Sequence, residues 1–229
     1  MARSSRKTQV YLEVGKRRTF AGAIDWPGWC RSGRDEESSL RALADYGPRY
    51  ARALRPARLG FEAPADVASL AVAERLQGNA TTDFGAPDAS PADDAKPVET
   101  GDLQRIRAIL KACWRTLDAA ADAASGKALR KGPRGGGRDL DAILEHVQGA
   151  DAGYLNGLGW KFKEDTRDDL DKRMERTREA ILTALKSAVA GRIPRRGPRG
   201  GVRWTARYFV RRLAWHTLDH AWEIEDRVL

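Results

Sequence analysis

Four stretches of the C-terminal half, at about 101–124, 139–156, 166–190 and 203–227, carry apolar side chains that return every three or four positions. A helix with one apolar stripe cannot hide that stripe alone, so four in succession predict a bundle. The punctuation agrees with this reading. Asp102, Asp139 and Thr166 stand where N-terminal caps belong, and Gly126 and Gly191 follow the ends of the first and third segments.

The preceding sequence has a different character. Residues 1–60 hold 13 basic and 6 acidic side chains (+7), 61–100 hold 2 and 8 (−6), and 101–229 hold 26 and 18 (+8). Within the acidic part, the stretch from Gly85 to Pro97 combines prolines, aspartates and small residues without an apolar period, as a solvated linker does. The expected organisation is therefore an α+β chain: a small α/β unit over 1–84, a linker over 85–100 and a four-helix bundle over 101–229. In the first unit, 8–14 and 19–24 read as a hairpin closed by Gly15-Lys-Arg-Arg18, and Asp25-Trp-Pro-Gly28 breaks the second strand. A helix begins at Asp35 with acidic residues in its first turn, and Pro48 kinks or ends it. The run 67–76 fits strand or helix; strand is preferred because Gln77-Gly-Asn79 and Thr81-Thr82 suggest a turn into another extended run.

Composition narrows the function classes. The chain of 229 residues is 41% hydrophobic, with mean hydropathy −0.58, which excludes disorder as the main state. The longest apolar runs fall far short of the ~20 residues needed to span a bilayer, and Met1-Ala-Arg-Ser-Ser-Arg-Lys7 has no apolar leader core, so the expectation is a cytoplasmic protein without a membrane partner. Two cysteines, Cys30 and Cys113, make neither a disulfide framework nor a CxxC clip. If a metal is bound, the ligands must come from His146, His216 and His220.

His216 and His220 are four apart in the last helical segment, about 40° apart in azimuth and one turn in height, so both imidazoles can turn to one ion. Glu223 lies within about 20° of His216 on that face and is a candidate fourth ligand, catalytic base or partner that orients a ligating histidine. His146 borders the apolar arc of the second helix, beside a stripe of Ala142, Gly149 and Gly153. Glycine in a helix interior costs about 1 kcal/mol relative to alanine, so the two call for close helix contact or for ligand space. There is no HExxH motif, which argues against a metalloprotease.

With one histidine in Leu144-Glu-His146-Val-Gln-Gly-Ala-Asp-Ala-Gly-Tyr-Leu155 and a pair in Arg211-Arg-Leu-Ala-Trp-His216-Thr-Leu-Asp-His220, residues 101–229 resemble the DinB-like metal-binding four-helix bundles. The resemblance implies a divalent ion, zinc or nickel, held by His146, His216 and His220. It also implies an uncharacterised transferase or hydrolase of a small-molecule substrate, in some relatives acting with a low-molecular-weight thiol. Three imidazoles with an open fourth position make the catalytic rather than the structural kind of zinc site, able to lower the pKa of water or a thiol.

The stretch Phe20-Ala-Gly-Ala-Ile-Asp-Trp-Pro-Gly-Trp-Cys-Arg-Ser-Gly33, followed by Asp35-Glu-Glu-Ser-Ser-Leu, resembles the turn and acidic helix start of HicB-like antitoxin units. The residues alone read Trp26, Trp29 and Cys30 as packing around a Pro-Gly turn. The competing function class is a non-enzymatic binding or regulatory protein whose HicB-like unit contacts a protein or nucleic-acid partner; a homodimer is compatible with either class. Nucleic acid ranks low as a partner, because the +9 charge comes with no helix-turn-helix, RNA-recognition signature or zinc finger. Two near-repeats, Lys131-Gly-Pro-Arg-Gly-Gly-Gly-Arg138 and Arg196-Gly-Pro-Arg-Gly-Gly-Val-Arg203, each lead into a histidine-bearing helix. They could cradle an anion, but solvated connection is the stronger reading. An up-down-up-down bundle would put both at one end, an up-down-down-up bundle at opposite ends.

Overall fold

The computed structural model describes residues 7–131 and 137–229, and the chain divides into two units between Lys96 and Pro97. The first unit is built on a four-stranded mixed sheet of order β3-β2-β1-β4, with β1 Thr8–Val14, β2 Thr19–Ala23, β3 Cys30–Gly33 and β4 Leu70–Gln77. The expected hairpin is β1–β2, antiparallel from Val10↔Ala23 to Val14↔Thr19. The preferred strand at 67–76 is β4, which runs parallel to β1. A parallel partner needs a crossover connection, and the intervening chain includes β3, α1 (Glu36–Asp45) and α2 (Gly47–Leu54). Asp35 caps α1: its carboxylate accepts from the Ser38 amide, and the Ser38 hydroxyl closes the reciprocal bond. Pro48 falls in the first turn of α2, where its missing N–H is harmless, so the helix ends at Asp45 and restarts.

The residues around the Pro-Gly turn form an aromatic core. Trp29 is fully buried, donates its indole N–H to the Leu43 carbonyl at 2.8 Å and stacks on Tyr50, whose hydroxyl donates to the Pro27 carbonyl at 2.8 Å. Phe61 closes edge-on against Trp26, Trp29 and Tyr50. Gly22 is required beneath Tyr11, since a Cβ there would sit 2.5 Å from the ring.

Two expectations for this unit change. Thr81 and Thr82 do not enter another strand but belong to α3 (Ala80–Phe84), because the Asn79 side chain accepts from the Thr81 and Thr82 amides and starts a helix. Nor is 85–96 a solvated linker. Glu13, on β1, is fully buried, and its carboxylate accepts from the Thr82 hydroxyl and from the backbone N–H groups of Asp88 and Ala89. A buried carboxylate without such donors is very unfavourable, so the Pro/Asp-rich segment is drawn onto the sheet that contains Glu13.

The second unit contains α4 (Thr100–Ala124), α5 (Leu140–Leu158), α6 (Leu170–Val189) and α7 (Ala206–Arg227). Their directions follow from who meets whom. Leu117, Ala120 and Ala124 from the end of α4 share one core with Ile143 and Val147 from the start of α5, Met174 from the start of α6, and Ala221 and Ile224 from the end of α7. At the other end, the Arg207 guanidinium meets the Asp102 carboxylate and the Pro97 carbonyl, and Trp204 lies against Gly157. The order is up-down-down-up: α4 and α7 run one way, α5 and α6 the other. The connection 159–169 therefore has to return along the length of the bundle. This explains why α6 starts later than expected, capped by Asp169 rather than Thr166. Asp139 caps α5 as expected, whereas α4 begins after Glu99 without a side-chain cap, so Asp102 is not its cap.

The described ends of the first glycine-arginine loop, Lys131 and Gly137-Arg138, lie at the opposite end of the bundle from the second loop. Residues 132–136 of the first lie outside the described residues. The second is a self-bonded turn in which the Gly197 amide donates to the Gly201 carbonyl and the Arg196 guanidinium to the Gly200 carbonyl. Among the described residues, no helix is long and apolar enough to cross a membrane.

Candidate metal centre

His146 projects from the second turn of α5, and His216 and His220 from successive turns of α7, which runs antiparallel beside it. The three rings meet edge to face, with centroids 5.0 Å (146–216), 5.0 Å (146–220) and 4.6 Å (216–220) apart. One ring nitrogen from each lies within 4.8 Å of the other two. The Nε2 atoms of His146 and His216 are 3.2 Å apart. Two nitrogens bound tetrahedrally at zinc–nitrogen distances of 2.0–2.1 Å are separated by about 3.3 Å, so this spacing suits a shared ion.

The electrostatics favour a neutral imidazole, the form that ligates, at His216 and at His146. Burial pushes His216 well below the usual histidine range, helped by the neighbouring His220 and His146 and by Arg212 and Arg138. His146, half-buried, is lowered by burial and then by His220 and Arg138. His216 is 6% exposed, and among the described residues its Nδ1 has no hydrogen-bond partner. A buried imidazole that points one nitrogen at another imidazole and leaves the second unsatisfied gains little from the protein alone. A Lewis acid among the three rings would engage the facing Nε2 atoms of His146 and His216, which the protein alone leaves lone pair against lone pair or weakly bonded.

Glu223 is not placed as a ligand or a base. Its Oε2 lies 2.8 Å from His220 Nδ1, and its Oε1 accepts from the Arg227 guanidinium. The hydrogen bond from His220, followed by Arg227, holds its carboxyl below the usual glutamate range, and with both oxygens engaged it is a poor proton acceptor. Because a carboxylate only accepts, His220 Nδ1 carries a proton, and in the neutral ring Nε2 then keeps the lone pair, the arrangement common around metal-bound histidines. Tyr154 stands edge-on to His216 with centroids 5.8 Å apart, and Arg212 lies over the Tyr154 ring. Gly149 and Gly153 make no close helix contact: a Cβ at either would meet nothing within 4 Å, so the α5 face next to His146 is open.

Cys30 and Cys113 are both buried and stand outside this cluster, and burial pushes the Cys113 thiol up to about 12. Arg227 was not singled out by sequence reasoning, although its i,i+4 spacing from Glu223 is a usable signal. No family model, no curated protein and no solved structure matches this chain.

Proposed function

We propose that the second unit binds one divalent metal ion through His146, His216 and His220 and that the protein is a metal-dependent enzyme acting on a small molecule. The convergence of three imidazoles from two antiparallel helices carries this reading. A bound ion supplies Lewis acidity, which lowers the pKa of a coordinated water or thiol towards neutrality. The chain's own part is to hold three nitrogens on one side and to keep the other approachable. The bare face at Gly149 and Gly153 leaves room beside His146, and Tyr154 and Arg212 border His216.

Glu223, the carboxylate in contact with the cluster, has both oxygens engaged by His220 and Arg227, which favours chemistry whose nucleophile is activated by the ion itself. Transfer to a low-molecular-weight thiol is the more specific form of the proposal, and hydrolysis the looser one. The up-down-down-up helix order and the placing of one histidine on the second helix and two on the fourth support the resemblance to DinB-like bundles. Titration with Co2+ followed by visible absorption tests the site. The native protein should saturate at one ion per chain with the intense bands of a low-coordinate nitrogen site, and His216→Ala should show only weak, hexaaqua-like absorption. Identical spectra from the two would remove the proposal.

A further inference from the structure

We propose that Arg227 is a positioning residue which, through Glu223, selects the Nδ1–H form of His220 and ties it to the chain on both sides of the 132–136 segment. This rests on the metal reading for its purpose, though not for its geometry.

The guanidinium of Arg227 is used in three directions. Nη1 donates to Glu223 Oε1, Nε to the Arg130 carbonyl at 2.8 Å, and Nη2 to the Arg138 carbonyl at 2.8 Å. Glu223 passes the restraint on through Oε2 to His220 Nδ1. The backbone reinforces the same junction: the Arg130 amide donates to the Arg227 carbonyl at 2.7 Å, the Leu229 amide donates to the Ala128 carbonyl, and Leu129 bridges Val228. Gly137 completes the fit. Its φ is +150°, and a Cβ there would lie 2.6 Å from Arg227 Nη2, so only glycine lets the guanidinium pass. A planar fork of fixed donors meets three separate acceptors in a way that a lysine ammonium cannot reproduce.

An isolated neutral histidine in water prefers its proton on Nε2, the nitrogen that the cluster needs bare. Loss of the clamp would let Glu223 swing and His220 revert to that form. The chain Arg227–Glu223–His220 therefore prepares one ligand before any ion arrives, which is how outer-layer partners add to metal affinity.

Two measurements on the full chain test this. In the metal-free protein labelled with 15N-histidine, long-range 1H–15N spectra at pH 8 should show His220 as the Nδ1–H tautomer in the native protein and as a mixture or mainly Nε2–H in Arg227→Met. In competition with a chromophoric chelator, Zn2+ affinity should fall about 10- to 100-fold in Arg227→Met, with partial recovery in Arg227→Lys. Gly137→Ala, which crowds Nη2 while keeping every charge, should shift both readouts the same way, and it decides the matter if Arg227→Met does not fold. An unchanged tautomer and a Zn2+ affinity within twofold of native, in a folded variant, would overturn the proposal. Should the native protein bind no Zn2+, the metal reading fails, while the tautomer measurement still decides whether Arg227 positions His220.

Discussion

Glu13 in the first unit and His216 in the second are both ionisable side chains taken out of water, yet the protein treats them oppositely. Glu13 is surrounded by donors: one hydroxyl and two backbone N–H groups converge on its two oxygens. His216 keeps one ring nitrogen without a partner and turns the other towards a second imidazole 3.2 Å away. A buried group that is fully paired explains itself as structure. One that turns a ring nitrogen to a second imidazole, with a third beside them, has the donor set that an ion would complete. Asp151 on α5 refines the distinction. It is buried with Oδ1 unpartnered, but among the described residues it belongs to no cluster of three ligating side chains, and burial raises its pKa to about 8 despite the attraction of Arg178. Here the simple remedy is protonation.

The largest expected effect separates Asp151 from the histidines. Its folded pKa lies above the ordinary value of 3.8, so between about pH 4 and pH 8 the folded state holds a proton that the unfolded state has lost. Stability therefore falls as pH rises through that window, by about 1.4 kcal/mol per unit from this group. Asp151→Asn should remove the slope. Denaturant unfolding should show the variant gaining about 4 kcal/mol on the native protein between pH 5 and pH 8, with metal binding retained. A constant difference across that range would mean that Asp151 is ionised and paired.

Next in size is Glu13→Gln. The amide would present its NH2 to groups that are themselves donors, at a cost of about 2–3 kcal/mol. Faster hydrogen exchange at Asp88 and Ala89 should accompany it, together with unchanged histidine spectra. An exchange pattern like the native one would show that the Glu13 carboxylate does not hold the 85–96 segment. The smallest effect concerns the bare face of α5. Gly149→Ala and Gly153→Ala should each stabilise the protein by roughly 0.5–1 kcal/mol, as alanine does in an exposed helix interior, with Zn2+ affinity unchanged. Destabilisation by either would reveal a packing contact where the fold has open space.

The same contrast governs how much could be read from the amino acids. Helices α4 to α7 were legible because their apolar period is a local property, and so was the Asp139 cap. The His216–His220 pair was legible because its i,i+4 spacing survives folding unchanged, whereas His146, 70 positions before His216, was tied to it only by the resemblance. Other features depend on partners distant in sequence. β3 is only Cys30-Arg-Ser-Gly33 and owes its extended form to pairing with β2, a case of tertiary context overriding weak propensity. The segment after Gly85 has the composition of a linker, and nothing local shows that a glutamate some 75 positions earlier is buried and in need of its amides. Glu223 was correctly placed near the histidines. Its role beside a ligand was among the alternatives, and what selects that role over the base is Arg227, which engages its other oxygen.

If the second unit holds an ion, as proposed, metal content per chain reports it. Full-length protein purified without chelators and then dialysed against Zn2+ or Ni2+ should retain one equivalent by elemental analysis. His146→Ala, His216→Ala and His220→Ala should each retain far less while keeping the native helical content. Equal metal in the native protein and the three variants, or none in any of them, would contradict the account.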